Sequence, residues 1–591
     1  MLETLRASLP PLEVLTCIVI FAGIISAGCV YVTFCYVLYV LGTRLRTPPK
    51  GWKRYLDDAV AAGVVKLPDF GAAKAASIRR QLILASSQPG RYSNDRAMTL
   101  GRDIGRGAFD IHYKDGTQVN RKVVFGFFHP YADAGGGGER VLWAAVRQTL
   151  QNNENNVCAI YVGRDAAPNA TTAAQGAAST GASPDAASGD AILDRVDARF
   201  GIEVDRARVV FIFIAHRTLV HPLTWPRLTL VGQAFGSAVL AYEAISSLVP
   251  DVFVDTAGYP FCYPLISWLL GIPVCAYVHY PVVQPDMLAG VGPLSVRGLY
   301  WRAFMRAYAL MARYATLPVT NSTWTNEHMR RIWGPGAAKR PDLITTVYPP
   351  CAVQDFAPPT PGQVRKPHVV CIAQFRPEKR HDLLLREFAR YLENRAADAT
   401  DKPHLVLIGS VRDEADSQRV YSLRVLAREL GIIEDHVTFL LDAPWSTVQE
   451  ILSHASVGVN AMWNEHFGMG VVEYMAAGLI PVAHNSAGPK LDIITPPEDD
   501  SSGERPGFLF TDPSDPDYAP DAKHNVSLSQ CLDQALSLSQ EEQDRLRLQA
   551  YNAAQRFSDP EFDKRWDVRV NTLLKLEKLK RNKRLLAGAF D

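Results

Sequence analysis

The chain has 591 residues, with 62 Lys and Arg against 61 Asp and Glu. That near balance excludes a protein that holds nucleic acid by bulk charge, and the length calls for two or three domains. Nine cysteines without a C-x-x-C pair exclude a zinc ribbon or a disulfide scaffold and suit a reducing compartment.

In chain order, the first signal is a stretch without a charged residue, Val14 to Leu41. As a helix it would be about 42 Å long, enough to span a bilayer with tilt and too long for a cleaved leader. The reading is an uncleaved transmembrane anchor over residues 12–42. Arg44, Arg46, Lys50, Lys53 and Arg54 follow it, whereas Glu3, Arg6 and Glu13 precede it. The positive-inside rule then places everything after it in the cytosol. Residues 43–115 form a membrane-proximal segment with no usable motif.

"KVVFGFF" (Lys122 to Phe128) reads as a buried strand and "ERVLWAAVRQTL" as a helix, with Gly135, Gly136, Gly137 and Gly138 between them. A glycine run is entropically costly, so bare backbone is required there. The spacing predicts a strand–turn–helix whose amides meet a phosphate or a sugar. It is no G-x-G-x-x-G, so a nicotinamide cofactor is not implied. Further strands are expected in "VCAIYVG", "VVFIFI", "PDVFVDT" and "PVCAYVHY", with helices between. Strands alternating with helices predict a parallel sheet covered on both faces. Residues 165–190, poor in bulky side chains, read as a disordered insertion. The apolar run Phe261 to Val278 is cut by Pro264, Gly271 and Pro273, and so reads as a buried helix–strand unit rather than a second membrane span.

The Pro-rich linker 346–364 separates this first domain, 116–345, from a second, 365–556. The second series is "HVVCIAQF", "HLVLIGS", "HVTFLL", "ASVGVN", "LIPVAH" and "GFLF". The fold class is therefore α/β, with two Rossmann-like domains facing a cleft. A basic helix over 557–591 ends the chain, as either a solvated closing helix or a contact to anionic lipid.

Four features of the second half fall at strand ends. Arg376 and Lys379 in "IAQFRPEKRHDLLL" sit between strand and helix, where cations can grip a diphosphate. Gly409 ends a strand and lets backbones approach closely. In "NEHFGMGVVEYMAAG", Glu465 and Glu473 are separated by seven residues, with Phe467, Gly468, Met469 and Gly470 between them. Helix amides there can face a phosphate, and a carboxylate can take both hydroxyls of a ribose. The fourth is the small-residue loop in "HNSAGPKLDII". The only close D-x-D match, Asp515 to Asp517, sits in a Pro-rich loop with no strand ahead of it, so no metal is expected.

The second half resembles the retaining glycosyltransferases of family 4, which have the GT-B fold and an E-x7-E signature. "GFFHPYADAGGGGERVLW", "AYVHYPVVQPDML", "NSTWTNEHMRRIW", "NEHFGMGVVEYMAAG" and "HNSAGPKLDI" extend the likeness to the dolichol-pathway α-1,2-mannosyltransferases, over roughly residues 120–500. The resemblance implies GDP-mannose as donor and a dolichol-diphosphate-linked oligosaccharide as acceptor, at the cytosolic face of the endoplasmic reticulum membrane. Other mannosyltransferases of that pathway are implied as possible assembly partners, and nucleic acid is not. It further implies that Arg376 and Lys379 neutralise the diphosphate, that Glu473 holds the ribose and that Glu465 contacts mannose hydroxyls. Gly409 and the stretch from Phe467 to Gly470 would line the donor site. His279 would stand near the donor sugar, and the loop Gly135–Gly138 beside the diphosphate and incoming acceptor. No catalytic base or nucleophile is assigned. Two rival readings are another family 4 nucleotide-sugar transferase, argued against by the anchor and the glycine loop, and a non-catalytic scaffold subunit, which would have little use for Arg376, Lys379, Glu465 and Glu473 together.

Overall fold

The structure, a computed structural model, describes residues 122–163, 189–283, 295–337, 344–395, 403–496 and 503–586, apart from positions 412, 433 and 523–524. A few residues outside these segments are also described. The anchor of residues 12–42 falls outside them except for Thr33, Tyr36, Val37 and Val40. Among the described residues no helix is long and apolar enough to cross a membrane.

The first half is built on seven strands: β1 (Val123–Phe128), β2 (Asn156–Gly163), β3 (Val209–Ile214), β4 (Val252–Asp255), β5 (Val274–Val278), β6 (Leu317–Thr320) and β7 (Thr345–Thr346). All neighbours pair in parallel, in the order β3-β2-β1-β4-β5-β6-β7. The second half has β8 (Lys366–Ile372), β9 (His404–Gly409), β10 (Val437–Leu441), β11 (Ala455–Asn460), β12 (Ile480–His484) and β13 (Phe508–Phe510), again all parallel, in the order β10-β9-β8-β11-β12-β13. Both sheets thus place their first strand beside their fourth. That is the crossover point where an α/β sheet opens a crevice at its strand C-termini.

The strands form where they do because both faces of each sheet are covered. Strands β2, β3 and β5 are buried along their whole length, which only continuous apolar runs such as "VVFIFI" tolerate. Each of the eleven expected strands is present. β6 and β7 were not anticipated: β7 is two residues long, and β6 is interrupted by Pro318, so neither reads as an apolar run.

Residues 164–188 lie outside the described residues, but a helix already runs over Gly189–Phe200. The expected insertion over 165–190 therefore stops short of its last two positions, because Ile192, Leu193 and Val196 pack into the core of the first half. The run Phe261–Val278 forms a short 3-10 turn (Pro260–Cys262), a π-helical turn (Pro264–Leu269) and strand β5, a helix–strand unit inside the domain as expected.

Helices α1 (Gly137–Asn152), α2 (Thr323–Ala337), α3 (His381–Glu393), α4 (Met469–Ala476) and α5 (Asp559–Leu586) frame the cleft. Helix α5 follows the second half in sequence and yet packs on the first. Phe562, Trp566, Val570 and Leu573, at helical spacing, enter the core beneath β1 and α1. Trp566 donates to Thr149 Oγ1 at 3.0 Å. Arg140 of α1 donates to Asp559 and to the Pro350 carbonyl, each at 3.0 Å, and Arg147 grips Asp563 with two bonds. Lower down, Lys580 donates to the Ile272 carbonyl at 3.1 Å. One face of the basic tail is thus committed to closing the first half.

Candidate active site

The loop after β1 turns back through His129 and the four glycines into α1. None of these glycines has a positive φ. The groups that approach three of them are the far ends of flexible side chains. A methyl on Gly135 would collide with the Arg199 guanidinium. One on Gly136 would stand 2.7 Å from Glu139 Oε2, and one on Gly137 2.7 Å from Met469 Sδ of the second half. Only Gly138 has room, its nearest neighbour being His279 Nε2 at 3.7 Å. The bare backbone is thus largely filled by the protein's own side chains.

A hydrogen-bonded chain runs from this loop into the cleft. The Gly136 amide donates to Glu139 Oε2 at 2.7 Å. The other oxygen of Glu139 meets His129 Nε2 at 3.1 Å, and His129 Nδ1 meets Thr256 Oγ1 at 2.8 Å. The Thr256 carbonyl then accepts from His279 Nε2 at 3.0 Å. Burial would raise the Glu139 pKa, but the bond and charge of His129 and the Gly136 amide outweigh it and hold the carboxyl below its ordinary value. His279 goes the other way. Burial, reinforced by His129, takes it down to about 4, so its ring is neutral at pH 7. With Nε2 donating, Nδ1 is left as an acceptor.

In the second half the chain leaves β8 through Arg376, turns over Pro377–Lys379 and enters α3 with Arg380 in the left-handed region at φ 53. It leaves β11 through Asn464, also left-handed, and enters α4 through Gly468 at φ 109. This brings Lys379 Nζ to 2.5 Å from Glu465 Oε2. Burial pushes the Glu465 pKa up. The charge and hydrogen bond of Lys379, with smaller help from His466 and Asn460, more than reverse that and keep it ionised. Arg376 reaches only Glu378, at 3.8 Å, and its buried Nε has no partner among the described residues. A buried donor left free is costly unless a ligand takes it.

Glu473 lies on α4, closely enclosed but with some surface still accessible. Burial raises its pKa to about 7, with Arg140 pulling it down and Asp355 pushing it up. Phe467 differs from its expected place in the donor site. Its ring is buried between Tyr348 and Phe557, so only its backbone is available to a ligand. Gly409 is explained by packing, since a side chain there would strike the Ala373 carbonyl. Met469 faces the glycine loop, while Gly470 keeps 3.5 Å or more of clearance.

The cleft is spanned by groups that sequence reasoning passed over. His466 lies on Tyr280 at 5.6 Å between ring centroids, nearly parallel, and against Trp324 at 4.9 Å. Asp492 accepts from the Thr323 amide at 3.0 Å, from the Thr323 hydroxyl at 2.5 Å and from Tyr348 at 2.9 Å. It thereby satisfies the start of α2 from the opposite half. His129, Glu139, Trp324, His466 and Asp492 all fall inside stretches quoted above for their resemblance, so the signal was present without its chemistry.

Asp515 is buried, accepting from Arg380 at 2.6 Å and facing His484 at 2.7 Å, and Asp517 accepts from Trp463 at 2.8 Å. The carboxylates of the D-x-D stretch are therefore already engaged, which makes them poor ligands for a cation.

Two family profiles match the chain, "ALG11 mannosyltransferase N-terminus" over residues 122–333 and "Glycosyl transferases group 1" over residues 355–524. A protein of Yarrowia lipolytica named GDP-Man:Man(3)GlcNAc(2)-PP-Dol alpha-1,2-mannosyltransferase is 41% identical, covering 98% of this chain and 97% of its own. The chain belongs to this mannosyltransferase family. A Xenopus laevis member with the same name is 38% identical over 76% of this chain and 87% of its own. Among solved structures, an Escherichia coli protein titled "Trehalose-6-phosphate … bound with UDP-2-fluoro glucose" superposes with a TM-score of 0.52 over 76% of this chain and 98% of its own, at 10% identity. The N-terminal domain of Candida albicans trehalose-6-phosphate phosphatase gives 0.53 over 79% and 98%, at 9% identity. These establish the two-domain fold. In the mannosyltransferase family frame, the first profile contains the glycine loop, His279 and Trp324, and the second contains Arg376, Lys379, Glu465 and Glu473.

Proposed function

We propose that this protein transfers mannose from GDP-mannose to Man3GlcNAc2-diphosphate-dolichol in α-1,2 linkage, adding the fourth and fifth mannoses with retention at the anomeric carbon. The near full-length likeness to enzymes named for that reaction carries the reading.

Breaking the bond between the mannose C1 and the diphosphate puts positive charge on the sugar and negative charge on the leaving GDP. In this reading Arg376 and Lys379 take that negative charge, which the Arg376 Nε, without a partner among the described residues, supports. When the diphosphate engages Lys379, Glu465 loses part of its ion pair and becomes available to the mannose hydroxyls. Glu473, with a pKa about 7, can accept from or donate to a ribose diol. Neutral His279 offers Nδ1 to a sugar hydroxyl. The reading includes no metal, because Arg376 and Lys379 supply the charge that a cation would.

Anchored by residues 12–42, the two halves work on the cytosolic side of the endoplasmic reticulum, where GDP-mannose is supplied. The deciding assay is release of GDP from GDP-mannose in the presence of a lipid-linked trimannosyl acceptor. The expected product carries two more mannoses, both removed by an α-1,2-mannosidase. A purified folded protein that releases no GDP with this acceptor would refute the reading. Excess EDTA should leave turnover largely intact, and protease outside sealed microsomes should digest both halves.

A further inference from the structure

The ion pair of Lys379 and Glu465 is carried by two loops, one leaving β8 and one leaving β11. The residue after Lys379, Arg380, and the residue before Glu465, Asn464, both lie in the left-handed region at φ 53. Ala487, in the loop after β12, joins them at φ 43. That region is unfavourable for residues with a Cβ, least so for asparagine, and persists where the surroundings impose it. A single chain of hydrogen bonds reaches from Arg380 to Asn464 and supplies a constraint at both ends.

At the Lys379 end, the Arg380 guanidinium donates to Asp515 Oδ1 at 2.6 Å, to Asp512 at 3.0 Å and to Ser514 Oγ at 2.8 Å. The other Asp515 oxygen accepts from the Asp512 amide at 2.8 Å and meets Nε2 of His484, the last residue of β12, at 2.7 Å. His484 Nδ1 meets Ser486 Oγ at 2.8 Å, and the Asn464 amide donates to Ser486 Oγ at 2.8 Å. Two residues further on, the Gly488 amide donates to the Glu465 carbonyl at 2.9 Å. His484, Ser486 and Asp515 are all buried. The ends fix the polarity, because an amide N–H only donates and an ionised carboxylate only accepts. With its proton on Nε2 facing Asp515, His484 accepts at Nδ1 from the Ser486 hydroxyl, so every bond points from Asn464 toward Asp515. Burial alone would raise the Asp515 pKa, but His484, the Asp512 amide and Arg380 outweigh it and keep the carboxyl ionised.

We propose that Asp515, His484 and Ser486 are positioning residues for the transfer reaction: their relay locks the loops after β8 and β11 against each other and so sets how Lys379 and Glu465 meet. The three touch no substrate and act through that pair. The inference deepens the proposed reaction and rests on its assignment of Lys379 to the diphosphate and Glu465 to the mannose. A misplacement of about 1 Å at a reacting centre can cost on the order of 100-fold in rate, so a relay at the base of both loops has leverage. A bonded chain that merely stapled β12 to the loop after β13 would stabilise the second half without governing the pair. Two features favour positioning: the relay ends on the immediate sequence neighbours of Lys379 and Glu465, and both neighbours are left-handed.

The test uses the full-length protein and two variants. Ser486→Ala removes the middle link with little change of volume, and Asp515→Asn cuts the Arg380 end; should one fail to fold, the other carries both measurements. The first measurement is acetylation by a water-soluble succinimidyl ester, read by peptide mass spectrometry well below the melting temperature. Lys379, loosened from Glu465, should react several-fold faster than in the parent, relative to exposed Lys578. The second is a double-mutant cycle. Either variant should lower kcat about tenfold with KM for GDP-mannose within about twofold, yet cost less than about twofold once Lys379→Ala is already present. Unchanged Lys379 labelling overturns the proposal, and so does an equal loss of kcat with and without Lys379, which is what a merely structural chain would give. A parent that transferred no mannose would refute the proposed reaction, and the labelling would still decide whether the relay holds the pair.

Discussion

The two halves share a strand order but prepare the cleft in opposite ways. On the first half, Gly136, Glu139, His129, Thr256 and His279 satisfy one another in a closed chain, and the histidine at its end is neutral. On the second half, Lys379 and Glu465 form an ion pair, and Arg376 keeps a buried Nε with no partner among the described residues. A chain of mutual bonds fixes geometry, whereas a fixed cation changes energy when negative charge develops beside it. In the proposed reaction one half would then position the substrates and the other stabilise the leaving group.

Substitutions can separate these roles. Lys379→Ala should give the largest effect, lowering kcat by about 100-fold through loss of a charge-assisted contact worth roughly 1.5–3 kcal/mol. Single-turnover rates at saturating GDP-mannose measure it, and a change confined to KM would contradict the stabilising role. Glu139→Ala should cost about tenfold in kcat, as the freed Gly136 amide and His129 lose their partner. Its GDP affinity by calorimetry should be unaltered. If affinity falls instead, the first half also takes part in donor binding and the division of labour fails.

Glu473 offers a subtler probe. Its pKa of about 7 in the folded protein lies above the ordinary 4.5, so the folded carboxyl holds a proton that the unfolded one has released. The cost of its charge is absent below about pH 4.5, grows through the interval and is complete above about pH 7. Glu473→Gln should therefore melt higher than the parent at pH 8, with the gap closing toward pH 5. A gap independent of pH would mean that the carboxyl is not held protonated. The smallest effects are expected in the glycine loop. Gly138→Ala should be neutral or stabilising by up to about 1 kcal/mol, since there is room in a helical first turn. Gly137→Ala should cost no more than about 1 kcal/mol, since the end of the Met469 side chain can swing aside. A larger loss of melting temperature would show that Met469 is held rigidly between the halves.

The strands and the pairing of charged residues with strand ends were legible because they depend on local pattern: a run such as "VVFIFI" can only be a strand covered on both sides. What escaped reading depends on partners far apart. Asp492 satisfies Thr323, 169 residues away, and nothing in either neighbourhood announces the other. Phe467 was expected in the donor site because it lies within the E-x7-E stretch just before Gly468, yet tertiary packing turned its ring into the core. The glycine run reads as room for a phosphate or a sugar, whereas the groups nearest to Gly135 and Gly137, Arg199 and Met469, lie 64 and 332 residues away in the sequence. Residues 557–591 read as a basic helix, and the stripe of Phe562, Trp566, Val570 and Leu573 that closes the first half went unread because partners such as Thr149 lie more than 400 residues away.

That stripe has a consequence for biogenesis. The first half is synthesised first, but Trp566, which sits against Thr149, leaves the ribosome 417 residues later. At about 5–20 residues per second, the underside of α1 waits roughly 20–80 seconds for its cover. Throughout that interval the nascent chain exposes an apolar surface, a natural substrate for a chaperone. A frameshift or stop codon late in the gene would therefore damage the part of the protein translated earliest.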